Sequence, residues 1–169
     1  MVLTALMTAV LCIAGPLVIP LPFSPVPLSL QPLPVYFTLY ILGRKQGTAT
    51  CVLYLLIGLI GLPVMSGYSG GPGKLFSPTG GYLFGYIFLS LISGWFIENS
   101  SRFSIQILGL ILGTAACYGL GTGWLAFQAG MGFRAALMAG VIPFIPGDLA
   151  KIILAAFLGP KLRERLKRV

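Results

Sequence analysis

Among the few side chains in this sequence that can do chemistry, two stand together. Asp148 and Lys151 occur in Pro143-Phe-Ile-Pro-Gly-Asp-Leu-Ala-Lys151, a segment set in apolar sequence. Three residues apart, they share one face of a helix. An ionisable residue at the centre of a membrane-crossing helix costs about 2.5–3.5 kcal/mol on insertion scales, so such residues face a cavity and have partners. Pro146 suits the first position of a helix. Asp148 then sits in the first turn, where the helix dipole favours a negative charge. The pair is either a self-contained ion pair that fixes the fold or an acceptor and a donor presented together to a ligand near the outer surface. The second reading is preferred.

The remaining inventory excludes more than it offers. The chain has three acidic residues, Glu98, Asp148 and Glu164, and no histidine. Histidine triads, histidine metal sites and carboxylate-rich metal centres are therefore ruled out, and no metal or other cofactor is expected. Cys12, Cys51 and Cys117 each lie within an apolar run, at no metal-ligand spacing. They read as small packing hydrophobes. Gly73-Lys74 has the look of a phosphate-binding loop, but Leu75 replaces the required Ser/Thr and Tyr68 stands where its first glycine would be. The chain has no nucleotide-hydrolysing machinery, so uphill transport needs energy from a partner. Other polar candidates are Gln31, Tyr36, Thr38 and Tyr40 at the start of one apolar run, and Ser69, Ser77, Thr79 and Tyr82 around a later loop. Tyrosines near span ends are commonly interfacial. A small membrane enzyme built on Asp148, Lys151 and nearby serines is one competing class; a channel or structural subunit is another.

The elements that must position these residues follow from composition. Of 169 residues, 57% are apolar and 8% charged, against about 45–50% and about 25% in soluble domains. Such a surface cannot face water, and the chain reads as an all-α polytopic membrane protein with the lipid bilayer as its solvent. Residues 1–169 form a single domain, without an evident repeat or linker. Apolar runs cover Val2–Ala14, Leu33–Leu42, Thr48–Leu62, Gly80–Ile97, Ser104–Phe127 and Ala135–Leu158, the last interrupted at Pro143 and Pro146. Several fall short of the ~20 residues needed to cross a bilayer unaided. Short or broken spans are tolerated where the irregular backbone is buried or lines a cavity, so six helices are expected. The first run lacks a basic segment before it and a cleavage site after it, and is not read as a signal peptide.

With the N-terminus inside, Arg44, Lys45, Arg102, Lys161, Arg163, Arg165, Lys167 and Arg168 are cytoplasmic, against Lys74 and Arg134 outside. This asymmetry predicts both termini inside. It also explains the net charge of +8 without nucleic acid, whose partners carry a basic stripe. Two outer segments are expected to be irregular: proline-rich Gly15–Pro34 and glycine-rich Pro63–Thr79. Loops this long are uncommon unless functional. Their apolar residues, among them Leu17, Ile19 and Phe23, favour lids folded over an outward-facing pocket. Gly109-xxx-Gly113 and the Gly119, Gly121, Gly123 series read as close helix packing. Ala5-xxx-Ala9 is a small-residue stripe that internal packing would explain.

Three blocks together resemble a known family: Pro25-Val-Pro-Leu-Ser-Leu-Gln31; Gly61-Leu-Pro-Val-Met-Ser-Gly-Tyr-Ser-Gly-Gly71 with Ser77-Pro-Thr-Gly-Gly-Tyr-Leu83; and Pro143 to Lys151. The chain resembles the BioY family, the biotin-specific S components of energy-coupling factor transporters, over nearly its whole length. The resemblance implies a six-helix S-component fold in the bacterial cytoplasmic membrane that captures biotin from outside. It implies partnership with a transmembrane coupling subunit and a pair of cytoplasmic ATPases, and transport by toppling of the S component. Asp148 and Lys151 match the family's biotin-contacting pair, and Tyr36 its tyrosine near the second helix. Gln31, Ser69, Gly70, Gly71, Thr79 and Tyr82 fall in or beside the matching segments and join the expected site. The Ala5-xxx-Ala9 stripe matches the docking motif for the coupling subunit. Around Tyr82-Leu-Phe-Gly-Tyr86 only tyrosines are offered, which leaves Lys74 or Lys151 to hold the ligand's carboxylate.

Overall fold

A computed structural model describes residues 1–22 and 26–166. The readings placed on Phe23, Pro25, Lys167 and Arg168 lie outside the described residues. The helices are α1 (Val2–Ala14), α2 (Pro32–Leu59), α3 (Pro72–Leu75), α4 (Gly80–Asn99), α5 (Phe103–Ala129), α6 (Phe133–Gly140) and α7 (Ile145–Leu166), with a 3₁₀ turn at Ile142–Phe144 before α7. Strands β1 (Val18–Ile19) and β2 (Leu28–Ser29) pair antiparallel.

The second apolar run and the third as far as Leu59 fall within α2, which is two helices joined across a sharp kink. At Gly43 the backbone takes φ 76° and ψ −174°, open to glycine and strained for residues with a Cβ. The chain there turns back on itself. Tyr54 and Gln31 lie 23 positions apart, about 35 Å along a straight helix, yet the Tyr54 hydroxyl is 3.1 Å from Gln31 Oε1. Just after the reversal, the backbone N–H of Arg44 donates to Glu98 Oε1 at 2.7 Å. That carboxylate satisfies a donor otherwise orphaned at a helix start. The Gly43 reversal and the end of α4 thus lie at the same end of the molecule.

By length and composition, Gly80–Asn99, Phe103–Ala129 and Phe133–Leu166 are apolar enough to cross a membrane, with Val2–Ala14 as a shorter apolar helix. The arms of α2 are each shorter than a span, and Arg44 and Lys45 sit at their junction. Any stretch of α2 long enough to cross a bilayer therefore contains both cations, and α2 as one piece is not apolar enough to do so. The packing glycines divide. A Cβ on Gly109 would meet Phe96, and one on Gly113 would lie 2.2 Å from Ser93 Oγ, so α4 and α5 approach closely there. Gly119 and Gly123 face open space, so close packing does not account for them.

The main core joins Leu11 of α1, Tyr36, Leu39 and Tyr54 of α2, Leu89 of α4, Leu110 of α5 and Ile152 of α7. A smaller cluster of Val26, Leu125, Ala136 and Phe144 packs the proline-rich segment onto the ends of α5 and α6. Both segments expected to be irregular carry local structure. The first holds the β1–β2 ribbon, and helix begins at Pro32, ahead of Pro34, because proline is tolerated in a first turn. The second holds α3 and a bridge between Met65 and Ser69.

Gly43→Ala tests the reversal, because a Cβ there would lie 2.4 Å from Glu98 Oε1 in a left-handed conformation. We expect a loss of about 1–3 kcal/mol, read as a lower thermal unfolding midpoint in detergent. An unchanged midpoint would contradict the geometry.

Candidate functional site

Pro146 stands in the first turn of α7 and Asp148 follows within it, as the helix-start reading required. Asp148 is 7% exposed and Lys151 9%, so both charges are withdrawn from solvent and each needs a partner. Lys151 Nζ donates to Asp148 Oδ1 at 2.7 Å and to the backbone carbonyl of Ser29 at 2.6 Å. One ammonium thereby compensates the carboxylate and pins β2 to α7. The hydroxyl of Tyr118, on α5, donates to the other carboxylate oxygen, Oδ2.

Asp148 opens on a cavity lined by helices and by both irregular segments. The proline-rich segment contributes Val26, Pro27 and Ser29, and the glycine-rich segment Ser66 and Thr79. α2 supplies Gln31, at its N-cap, with Pro32 and Tyr36; α4 supplies Tyr82, Leu83, Tyr86 and Leu89. Thr114, Cys117 and Tyr118 of α5 close the side, and Gly140 and Phe144 the top. Most of this wall is apolar or aromatic, with a few convergent polar groups, as in a site for an amphipathic small molecule.

Hydrogen bonding fixes which polar atoms remain available. Thr114 Oγ1 donates to the Leu110 carbonyl at 2.7 Å, so its single proton is used. Tyr36 is then the donor in the 2.7 Å bond to Thr114 Oγ1, leaving its lone pairs toward the cavity. Tyr54 Oη reaches both Gln31 Oε1, at 3.1 Å, and the Val64 carbonyl, at 3.0 Å. Gln31 is 1% exposed and its Nε2 has no partner. A buried, unsatisfied donor is costly, and on a cavity wall a ligand oxygen can satisfy it. The Tyr82 hydroxyl donates to the Gly140 carbonyl at 3.0 Å, and a Cβ on Gly121 would lie 2.3 Å from its ring. Tyr82 is thus wedged between α5 and the end of α6.

Of the residues anticipated from sequence, Asp148, Tyr36, Gln31, Thr79 and Tyr82 share this wall. Lys151 stands behind Asp148, off the wall. Ser69, Gly70 and Gly71 also lie off it. Ser69 Oγ is spent on the Ser66 carbonyl at 2.7 Å, Gly71 N–H donates to Gly58, and Gly70 packs on Leu62. Lys74 is half-buried in α3, where burial lowers its pKa, and it too is absent from the wall. Neither lysine considered for an anionic ligand group therefore lines the cavity. The residues missed were Thr114, Cys117 and Tyr118. Their spacing of three and four along an apolar run places them on one helix face, and that was the available signal.

Ala5 and Ala9 are exposed and do not pack internally, contrary to the packing explanation. With Leu53 and Ile57 of α2 they border a shallow apolar groove.

The family model described as "BioY family" matches residues 1–168. The biotin transporter BioY of Thermotoga maritima is 36% identical over 146 residues, covering 86% of each chain. That of Rhizobium etli is 38% identical over 169 residues, covering 94% of this chain and 90% of the other. A solved structure of the S-component for biotin from an ECF-type ABC transporter aligns at a TM-score of 0.87 and 34% identity, over 95% of this chain and 88% of the other. Together with the three long apolar helices, these likenesses make the chain a multi-pass membrane protein.

Replacing Lys151 by Met leaves the Asp148 carboxylate buried without its counter-ion. We expect about 3–5 kcal/mol of destabilisation, read as the unfolding midpoint in detergent. The double variant Asp148→Asn, Lys151→Met should be closer to wild type than Lys151→Met alone; additive losses would show that the two charges are not coupled.

Proposed function

The chain belongs to the BioY family, and we propose that it captures biotin at the outer face of a bacterial cytoplasmic membrane as the substrate-binding component of an energy-coupling factor transporter. It is a transporter component, not an enzyme. The observation that carries the site assignment is the cavity itself, an apolar and aromatic chamber with the Asp148 carboxylate on one wall and the free Gln31 amide on another. Biotin presents a ureido group with two N–H donors and a carbonyl, an apolar bicycle with a thioether, and an anionic tail. In this reading Asp148 accepts from a ureido N–H, Gln31 Nε2 donates to a ligand oxygen, and Tyr36 and Tyr82 flank the rings. Lys151 acts from behind, holding the Asp148 carboxylate in place. Ser69, Gly70 and Gly71 shape the turn that presents Ser66 and Thr79. With no basic side chain on the wall among the described residues, the carboxylate tail meets neutral donors at the mouth among Ser29, Ser66 and Thr79. No cofactor takes part, and residues 1–169 work as one membrane domain.

We read the fold as six membrane-crossing helices: α1, the two arms of α2, α4, α5, and α6 continued through α7. Several contacts support this order. The end of α1 lies beside Val64 and Tyr54, at the cavity end, while Gly43 and Glu98 meet at the opposite end. α7 starts at the cavity and carries Arg163 and Arg165 in its last turn. Both termini then lie inside, as the charge asymmetry requires. The β1–β2 ribbon and the Pro63–Thr79 segment form the lid over the bound ligand. The chain lacks a phosphate-binding loop, so a transmembrane coupling subunit and two cytoplasmic ATPases supply the energy. Exposed Ala5 and Ala9 form the flat strip on which the coupling subunit docks.

Calorimetric titration of the purified protein tests the ligand. Biotin should bind one-to-one, its methyl ester more weakly and riboflavin not at all, and Asp148→Ala should weaken biotin at least about tenfold. Wild-type affinity in Asp148→Ala would refute the site. In cells, Ala5→Trp with Ala9→Trp should abolish uptake of labelled biotin while leaving binding to the purified protein intact; retained uptake would refute the docking strip.

A further inference from the structure

Asp148 borders two spaces. Besides the ligand cavity it lines a crevice between α5 and α7, of about 500 Å³ counting its open side. Thr114 and Tyr118 also border both spaces. The crevice is otherwise apolar, and its rim residues Ile111, Ile145 and Leu149 are each about 40% exposed on the outer surface of long apolar helices. In a bilayer that side faces hydrocarbon. The Tyr118–Asp148 bond therefore stands between a polar ligand pole and the lipid, and it links α5 to α7 across the crevice.

We propose that Tyr118 is a positioning residue for ligand binding: its hydroxyl holds the Asp148 carboxylate toward the cavity and closes that carboxylate off from the crevice. Lys151 secures only Oδ1, from the far side, while it also grips the Ser29 carbonyl. Oδ2 has Tyr118 as its partner. Without that hydroxyl, one oxygen of a buried carboxylate is left undonated, and the side chain is free to turn into the crevice. With it, the carboxylate is satisfied and aimed before ligand arrives, and its remaining lone pairs accept a ligand N–H. Such preorganisation raises affinity by removing a cost otherwise paid on binding. The Tyr118 oxygen also keeps lone pairs on the cavity side, next to those of Asp148, so the pole offers adjacent acceptors to a ligand carrying N–H groups.

The proposal rests on the biotin reading for its affinity test, but its geometric half can be read without any ligand. Tyr118→Phe removes one oxygen and keeps the ring. The protein, reconstituted in phosphatidylcholine vesicles, is treated with dicyclohexylcarbodiimide, which partitions into lipid. A carbodiimide nitrogen takes a proton from water or the Lys151 ammonium while the carboxylate adds to the central carbon, giving an O-acylisourea. This rearranges to a stable N-acylurea or is captured by the Lys151 amine as an amide with loss of dicyclohexylurea, and peptide mass spectrometry locates either product. With three acidic residues in the chain, Glu98 and Glu164 serve as internal controls. We expect Asp148 to resist labelling in wild type and to be labelled in Tyr118→Phe, with Glu98 and Glu164 unchanged between the two proteins. Biotin affinity should fall about tenfold in the variant. A loss of packing alone would not single out Asp148. Labelling of Asp148 in wild type, equal labelling in both proteins, or undiminished biotin affinity in the variant would each overturn the proposal. If wild type bound no biotin, the biotin reading would fail, and the labelling comparison would still decide the role of Tyr118.

Discussion

A carboxylate and an ammonium buried in an apolar bundle constrain everything around them. Leaving either one unpaired costs several kcal/mol, whereas an ordinary hydrogen bond contributes about 1 kcal/mol net. Asp148 and Lys151 must therefore stay together, and the surrounding chain adapts to them. Pro146 starts α7 just ahead of Asp148, which places the carboxylate at the positive end of the helix dipole. Lys151 has a second donor to satisfy, and it takes the Ser29 carbonyl, so the proline-rich segment is anchored at the cavity wall by the same ammonium that pairs with Asp148. The salt bridge thus fixes both the Asp148 carboxylate and the Ser29 stretch of the cavity wall.

A division of labour among the polar groups follows. Lys151 and Tyr118 occupy the carboxylate from behind and from the side. Tyr54 occupies the carbonyl of the Gln31 side chain and leaves its amide nitrogen free. Thr114 takes the proton of Tyr36. In each case a neighbour fixes one end of a polar side chain that lines the cavity, and the other end keeps hydrogen-bonding capacity. A ligand with N–H donors, a carbonyl and an apolar body meets groups already in place, which lowers the ordering cost of binding. No step of this needs chemistry on the ligand.

Much of this was legible in the sequence because the bilayer makes polar residues conspicuous. Asp148 and Lys151 stood out as ions in apolar sequence, and the proline before them marked the helix start. The proline- and glycine-rich segments were recognisable as the two long connections, and both contribute to the cavity wall. What the sequence did not show depends on spatial neighbours. Lys151 read as a ligand contact, and nothing in its sequence neighbourhood announced the Ser29 carbonyl that it also holds. Tyr118 was hidden because a tyrosine in a long apolar run has no distinguishing pattern until α7 is brought across from it. The break at Gly43 was legible, because the runs Leu33–Leu42 and Thr48–Leu62 end on either side of it with Arg44 and Lys45 between; that the reversal rests on Glu98, 55 positions further along, was not. Ala5 and Ala9 invited an explanation by internal packing, and only their exposure separates the alternatives.

The central claim is that the buried Asp148 carboxylate is the pole on which the ligand's ureido group is read. The measurement that reaches it most directly is a crystal structure of the protein with biotin bound. The account predicts the ureido ring inside the cavity with an N–H on Asp148, Lys151 still paired behind it and still bonded to Ser29. Biotin bound with its ureido group away from Asp148, or with Lys151 released from Ser29 to contact the ligand itself, would contradict it.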